Sequence, residues 1–122
     1  MKKITVTFLS LILTFLWINS EAQTPRRHAK PQPNMHSAIH HLERAKNMLN
    51  VKRFRTARDH LKQAKHKLQS AARNKGGHRV RAISHVDRAL NNARRGHSYK
   101  AIRQINLAIN EVRAGIHYAN TH

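Results

Sequence analysis

From residue 34 onward the apolar positions keep one register. A small residue is followed by a large aliphatic four positions on, by Ala three further, and usually by another aliphatic four beyond. The copies are Ala38/Leu42/Ala45/Leu49, Ala57/Leu61/Ala64/Leu68, Ala82/Val86/Ala89/Ala93 and Ala101/Ile105/Ala108/Val112. A 4-3-4 spacing lines one face of an α-helix, whereas a strand sends alternate residues to the same side. The pattern predicts four helices. A longer repeat contains them: Ala38-Ile39-His40-His41-Leu42-Glu43-Arg44-Ala45 returns 44 residues later as Ala82-Ile83-Ser84-His85-Val86-Asp87-Arg88-Ala89. A period of that length marks a duplicated supersecondary unit.

Punctuation agrees with this division. Pro33-Asn34 opens the first helix, with Asn34 expected as its N-cap. Asn50 to Lys52 is a short turn. Asn74-Lys75-Gly76-Gly77 is expected to stop the second helix, Gly96 to end the third, and Ser98 to cap the fourth. Short loops make successive helices antiparallel. The expected fold is all-α, an up-down four-helix bundle made of two tandem helical hairpins, with a superhelical stack as the alternative. The stripes differ in width. The first, third and fourth helices add Ile39, Ile83 and Leu90, and Ile102 and Ile109, while the second has Arg58 and Lys65 instead. The second helix should therefore be the most exposed. Repeated Ala lets helices approach closely but buries little area, so stability should be modest, on the order of 5 kcal/mol.

A different pattern occupies the N-terminus. Met1-Lys2-Lys3 precedes an apolar run from Ile4 to Ile18, and Ser20-Glu21-Ala22 puts small residues at −3 and −1 of a cut after Ala22. This is the layout of a secretory signal peptide, and the run is short of the ~20 residues that span a bilayer. The expected organisation is a signal peptide at 1–22, a flexible basic Pro-rich tail at 23–33, and a four-helix domain at 34–120. Processing would deliver a secreted or periplasmic chain with no transmembrane segment.

Charge changes the picture most. The chain of 122 residues carries 24 Lys+Arg against 5 Asp+Glu, a formal net charge of +19, with 11 His and no Cys. Lack of Cys excludes disulfides, thiol chemistry and Cys-based metal sites. So few acids exclude a carboxylate-rich calcium site and disfavour an acid/base pair. Solubility of a small domain needs a net charge of only about 2–8. The excess points to an anionic polymer as partner: nucleic acid, lipopolysaccharide, teichoic acid or an acidic polysaccharide. The expected contact residues are Arg55, Arg58, Lys62 and Lys65 on the second helix, with Arg94 and Arg95. Base-specific reading is not expected, since after processing only Phe54, Tyr99 and Tyr118 remain as aromatics and no groove-reading motif is present.

Histidine is the second unusual feature. Alignment of the four units puts His41, His60, His85 and Gln104 at one position, just before the aliphatic residue of each. In an up-down bundle His41 and His85 would lie at the same height. The simple account is a duplicated boundary residue whose ring covers the core edge. A functional alternative is weak binding of Zn²⁺, Cu²⁺ or Ni²⁺ by His36, His40 and His41, the first two spaced four apart on one helical face. Otherwise no cofactor is expected. A third role is acid sensing, because imidazoles charge near pH ~6.5. Catalysis has little support: no strand–turn–helix elbow frames a serine, no phosphate-binding glycine loop occurs, and no small-molecule substrate is indicated. A non-enzymatic polyanion binder, a histidine-based metal-binding protein and a structural envelope protein are the three readings, in that order.

Two segments carry a resemblance. Lys75-Gly76-Gly77-His78-Arg79 with Ala82-Ile83, and Ala108-Ile109-Asn110-Glu111-Val112-Arg113-Ala114-Gly115-Ile116-His117-Tyr118, resemble an uncharacterised group of small secreted bacterial helical proteins. That group has a Lys-Gly-Gly-His-Arg turn, an Ala-Ile helix and a Glu-Val-x-x-Gly-Ile closing stretch. In the group, turn and closing stretch sit on neighbouring helices. Here an additional helix, with Gly96-His97 as a second turn, is expected between them. The resemblance implies secretion and a helical fold, and it supplies no activity.

Overall fold

The computed structural model describes residues 32–72 and 77–121. The expected signal peptide at 1–22 and most of the basic tail at 23–33 lie outside the described residues. Among the described residues there are four helices and no strand: α1 (Pro33–Asn50), α2 (Phe54–Ser70), α3 (His78–Arg94) and α4 (Ser98–Thr121). The closest packing joins α1 to α2 and α3 to α4; α2 against α3 and α4 against α1 close the ring. The chain is an all-α four-helix bundle built from two tandem hairpins. No helix among the described residues is long and apolar enough to cross a membrane.

The periodic stripe is the core. Every position of the four 4-3-4 copies is buried, and Met35, Leu90 and Ile109 join them. No polar or charged residue is buried among the described residues. Ile39, Met48, Phe54, Ile83, Ile102 and Ile116 pack on the margin of this core. As the narrow stripe foretold, α2 buries only Ala57, Leu61, Ala64 and Leu68. Leu, Ile or Val alternates with Ala along the contact lines, and the small Ala side chains allow neighbouring helices to approach closely.

The two turns within hairpins are copies of each other. Lys52 N–H donates to Leu49 O at 3.1 Å and Arg53 N–H to Met48 O at 2.9 Å. Forty-four residues on, Gly96 N–H donates to Ala93 O at 3.1 Å and His97 N–H to Asn92 O at 2.9 Å. Both are Schellman closures, which need a left-handed residue after the helix. Gly96 supplies it at φ 73° and Lys52 at φ 61°.

Three helix boundaries differ from the sequence expectation. Pro33 is the first helical residue of α1 and Gln32 its N-cap, because the fixed φ of proline suits the first position. Asn34 is therefore not the cap; its Nδ2 donates to Ser70 O at 3.3 Å, tying the start of α1 to the end of α2. The second helix stops at Ser70, before Asn74, and Ala71 is extended. The Leu68 carbonyl, which a longer helix would have used, instead accepts from Ala71 N–H and from Arg79 Nη1, both at 3.3 Å. Ser98 begins α4 as a helical residue, and its hydroxyl accepts from Lys52 Nζ at 3.2 Å.

Candidate anion-binding surface and histidine contacts

Antiparallel connection puts the α1–α2 turn and the α3–α4 turn at the same end of the bundle, and the Lys52–Ser98 hydrogen bond joins them. That end gathers cations from both hairpins. Lys52, Arg53 and Arg55 come from the first, Arg94, Arg95 and Lys100 from the second, and all are exposed. None of the ion pairs among the described residues involves any of them. Arg94 Nη1 touches only a neutral acceptor, Asn91 Oδ1 at 3.4 Å. Tyr99, with a relative accessibility of 80%, stands among these side chains. A shallow cavity of about 230 Å³ runs from it along α4, lined by Ile102, Arg103, Asn106 and Leu107.

The six cations expected from sequence do not share one surface. Arg55, Arg94 and Arg95 belong to the basic end. Lys62 is exposed on the outer face of α2. Arg58 and Lys65 are drawn toward the bundle. Lys65 Nζ pairs with Asp87 of α3 at 2.7 Å, and Arg58 is half-buried with its Nε shielded from solvent. Both stand where α4 has Ile102 and Ile109, on the flank that meets the neighbouring hairpin. Lys52, Arg53 and Lys100 were not singled out by sequence. The signal that finds them is topological: they flank the two short turns that an up-down bundle must place together.

At the opposite end the two resemblance segments meet. His78 opens α3, and its Nδ1 lies 2.8 Å from Glu111 Oε2 on α4. A carboxylate only accepts, so in this shorter contact Nδ1–H donates, and Arg81 Nη2 lies 3.0 Å from the same nitrogen. Arg81 Nε donates to both Glu111 oxygens at 3.1 Å. The rings of His78 and Tyr118 lie 6.1 Å apart. Burial alone would raise the Glu111 pKa, but the hydrogen bonds and positive charge of His78 and Arg81 outweigh it and hold the carboxyl below its ordinary value. The turn leads into α3 and the closing stretch lies on α4, so α3 and the Gly96-His97 turn stand between them in sequence while the packing of α3 on α4 brings their side chains together. Gly77, at φ 71°, turns the chain into α3; a Cβ there would come within 3.1 Å of Arg81 Nη1.

Between the ends, the four repeat-equivalent positions form two pairs, each within a hairpin. His41 Nδ1 lies 3.3 Å from His60 Nδ1, and His85 Nδ1 lies 2.8 Å from Gln104 Oε1. The same separation of 19 residues sets both contacts. His41 thus faces its own hairpin partner and not His85. Burial comes first in lowering the His41 pKa below the ordinary imidazole value, followed by the charges of His60, His40, Lys67 and Arg44. The expected ligand set of His36, His40 and His41 points in different directions. His36 is exposed, His40 Nε2 accepts from Arg44 Nε at 3.1 Å, and His41 turns to His60. Among the described residues no group of three His, Asp or Glu side chains is placed to hold a metal ion together.

The chain matches no protein-family model and no curated protein.

Proposed function

We propose that this is an exported, non-enzymatic protein that holds an anionic polymer electrostatically, and that the basic end of the bundle is its principal contact. Nucleic acid and envelope polysaccharide or lipopolysaccharide share the required chemistry, a repeating negative charge. Export rests on the Met1–Ala22 segment, whose cleavage before Gln23 would leave 22 Lys+Arg against 4 Asp+Glu. One observation carries the reading. Two turns from opposite halves of the chain meet at a hydrogen bond and leave six exposed cations outside every ion pair among the described residues, while Glu43, Asp87 and Glu111 pair elsewhere and Asp59 is exposed on α2 and pairs with none of the six. Folding concentrates like charges there at an electrostatic cost, and a polyanion relieves it.

The contact is with phosphates or sulfates as charges. Each cation that neutralises a phosphate releases condensed counterions, so affinity falls steeply with salt. Binding to duplex DNA and to heparin, measured over a salt series, tests this. Replacement of Arg53, Arg55, Arg94 and Arg95 with Gln should flatten the log–log salt slope on DNA by about 3–4 units and leave helicity intact. The triple change Arg58→Gln, Lys62→Gln and Lys65→Gln should flatten it less, because Lys65 already has Asp87. Absence of binding by the wild-type chain to DNA, heparin and lipopolysaccharide at about 50 mM salt would end the proposal.

A further inference from the structure

The contact between His41 and His60 differs in kind from its counterpart. In the second hairpin an amide oxygen accepts from His85 Nδ1 at 2.8 Å, which fixes the tautomer. In the first, two identical atoms face each other at 3.3 Å, with ring centroids 5.5 Å apart and planes at 31°. One Nδ1 must carry a hydrogen and the other a lone pair, and either assignment serves. The contact meets hydrogen-bond geometry, so at least one Nδ1 is aimed at the other in its ring plane.

That spacing has a second meaning. Metal–imidazole bonds of about 2.0–2.1 Å place two ligating nitrogens about 3.3 Å apart at the tetrahedral angle of Zn²⁺ and about 2.9 Å apart at the right angle favoured by Cu²⁺ and Ni²⁺, which a small side-chain rotation reaches. We propose that His41 and His60 form a two-point clamp between α1 and α2 for a borderline divalent metal ion (Cu²⁺, Ni²⁺ or Zn²⁺), gripped through both Nδ1 atoms. The ion takes the place of the proton between the rings. In the neutral pair that proton moves to Nε2 of the same ring by way of solvent, both Nδ1 lone pairs go to the metal, and no net proton is released. If the pair holds one extra proton, that proton leaves to solvent. The remaining positions on the ion belong to water, since no third protein ligand among the described residues converges.

The surroundings shape the behaviour. Burial, followed by the neighbouring positive charges, lowers the His41 pKa and so favours the neutral imidazole, which is the ligand form. The ring of His40 lies 5.9 Å from that of His41, and Arg44 of α1 and Lys67 of α2 bring positive charge close. These cations oppose the metal, so metal affinity should rise with ionic strength as the repulsion is screened. Polyanion binding moves the opposite way, and the two activities can be told apart on one sample. Affinity should follow the order Cu²⁺ above Ni²⁺ and Ni²⁺ above Mn²⁺ expected of imidazole donors.

The test is calorimetric titration of the whole untagged chain with CuCl₂, NiCl₂ and ZnCl₂, joined to imidazole ¹⁵N NMR with Zn²⁺, which is diamagnetic and keeps the resonances observable. One ion per chain should bind, with the Nδ1 resonances of His41 and His60 shifted. His60→Ala should weaken that site about a hundredfold, since the second arm of a chelate acts at high effective concentration. His60→Gln should also lose it while keeping a partner for His41, as Gln104 does for His85, so loss of fold is separated from loss of ligand. His85→Ala and the double change His36→Gln with His40→Gln should leave the site intact. A site that survives His60→Gln, or one abolished by the His36/His40 changes, overturns the proposal. So does absence of a binding isotherm with Cu²⁺.

Discussion

The two hairpins are variations on one sequence, and the differences fall at three matched places. At the turns, Gly96 takes the left-handed conformation without cost, whereas Lys52 takes it with a Cβ. On the flank toward the neighbouring hairpin, α4 offers Ile102 and Ile109, and α2 offers Arg58 and Lys65. At the mid-height pair, the second hairpin has a matched donor and acceptor, and the first has two imidazoles. In each case the second hairpin carries the more stable solution and the first the more polar one. The first hairpin therefore holds the proposed metal clamp, the basic end draws on both hairpins, and the second supplies the firmer scaffold.

The largest expected effect comes from converting one flank into the other. Arg58→Ile with Lys65→Ile copies the α4 flank onto α2. The Lys65–Asp87 pair is about a third to a half exposed and contributes little. Two aliphatic side chains on the core margin should stabilise the bundle by about 1–2 kcal/mol in a urea melt. Destabilisation beyond about 1 kcal/mol would mean that the polar seam between α2 and α3 supports the fold.

Turn swaps come next. Lys52→Gly should gain about 0.5–1 kcal/mol by removing left-handed strain, and Gly96→Ala should lose about 1 kcal/mol. A Cβ at Gly96 would meet nothing within 4 Å, so that loss is purely conformational. Equal and opposite shifts in melting temperature would support the matched-turn comparison. A Lys52→Gly variant no more stable than wild type would assign a compensating value to the Lys52–Ser98 hydrogen bond.

The smallest effect is the dependence on pH. The folded pKa of His41 lies below its unfolded value of about 6.5. Its contribution is thus complete above that value and is lost as pH falls through the folded pKa. Glu111 is also depressed, and its contribution is lost only at lower pH, below about 4.5. His60→Gln removes a repulsive neighbour and leaves an acceptor. It should reduce the loss in melting temperature between pH 7 and pH 5 by about 2 °C or more. Gln104→His should enlarge that loss. The change below pH 4.5 should be the same in both variants.

The periodic positions and the 44-residue repeat determine the four helices, their buried faces and the thin stripe of α2, because helical periodicity is a local property of the chain. The charge excess was equally legible, since it needs only counting. Which charged groups remain available was decided by tertiary structure. Lys65 is captured by Asp87 and Glu111 by His78 and Arg81, while Arg53 and Arg55 are brought to the same end of the bundle as Arg94 and Arg95. The His41–His60 contact has the same origin: the repeat marked the positions as equivalent, but the rotation and stagger of α1 against α2 set the 3.3 Å distance. A stripe specifies the face that a helix buries. The partners of its flanking side chains depend on how the helices close into a ring, and that closure is fixed by packing all the stripes at once.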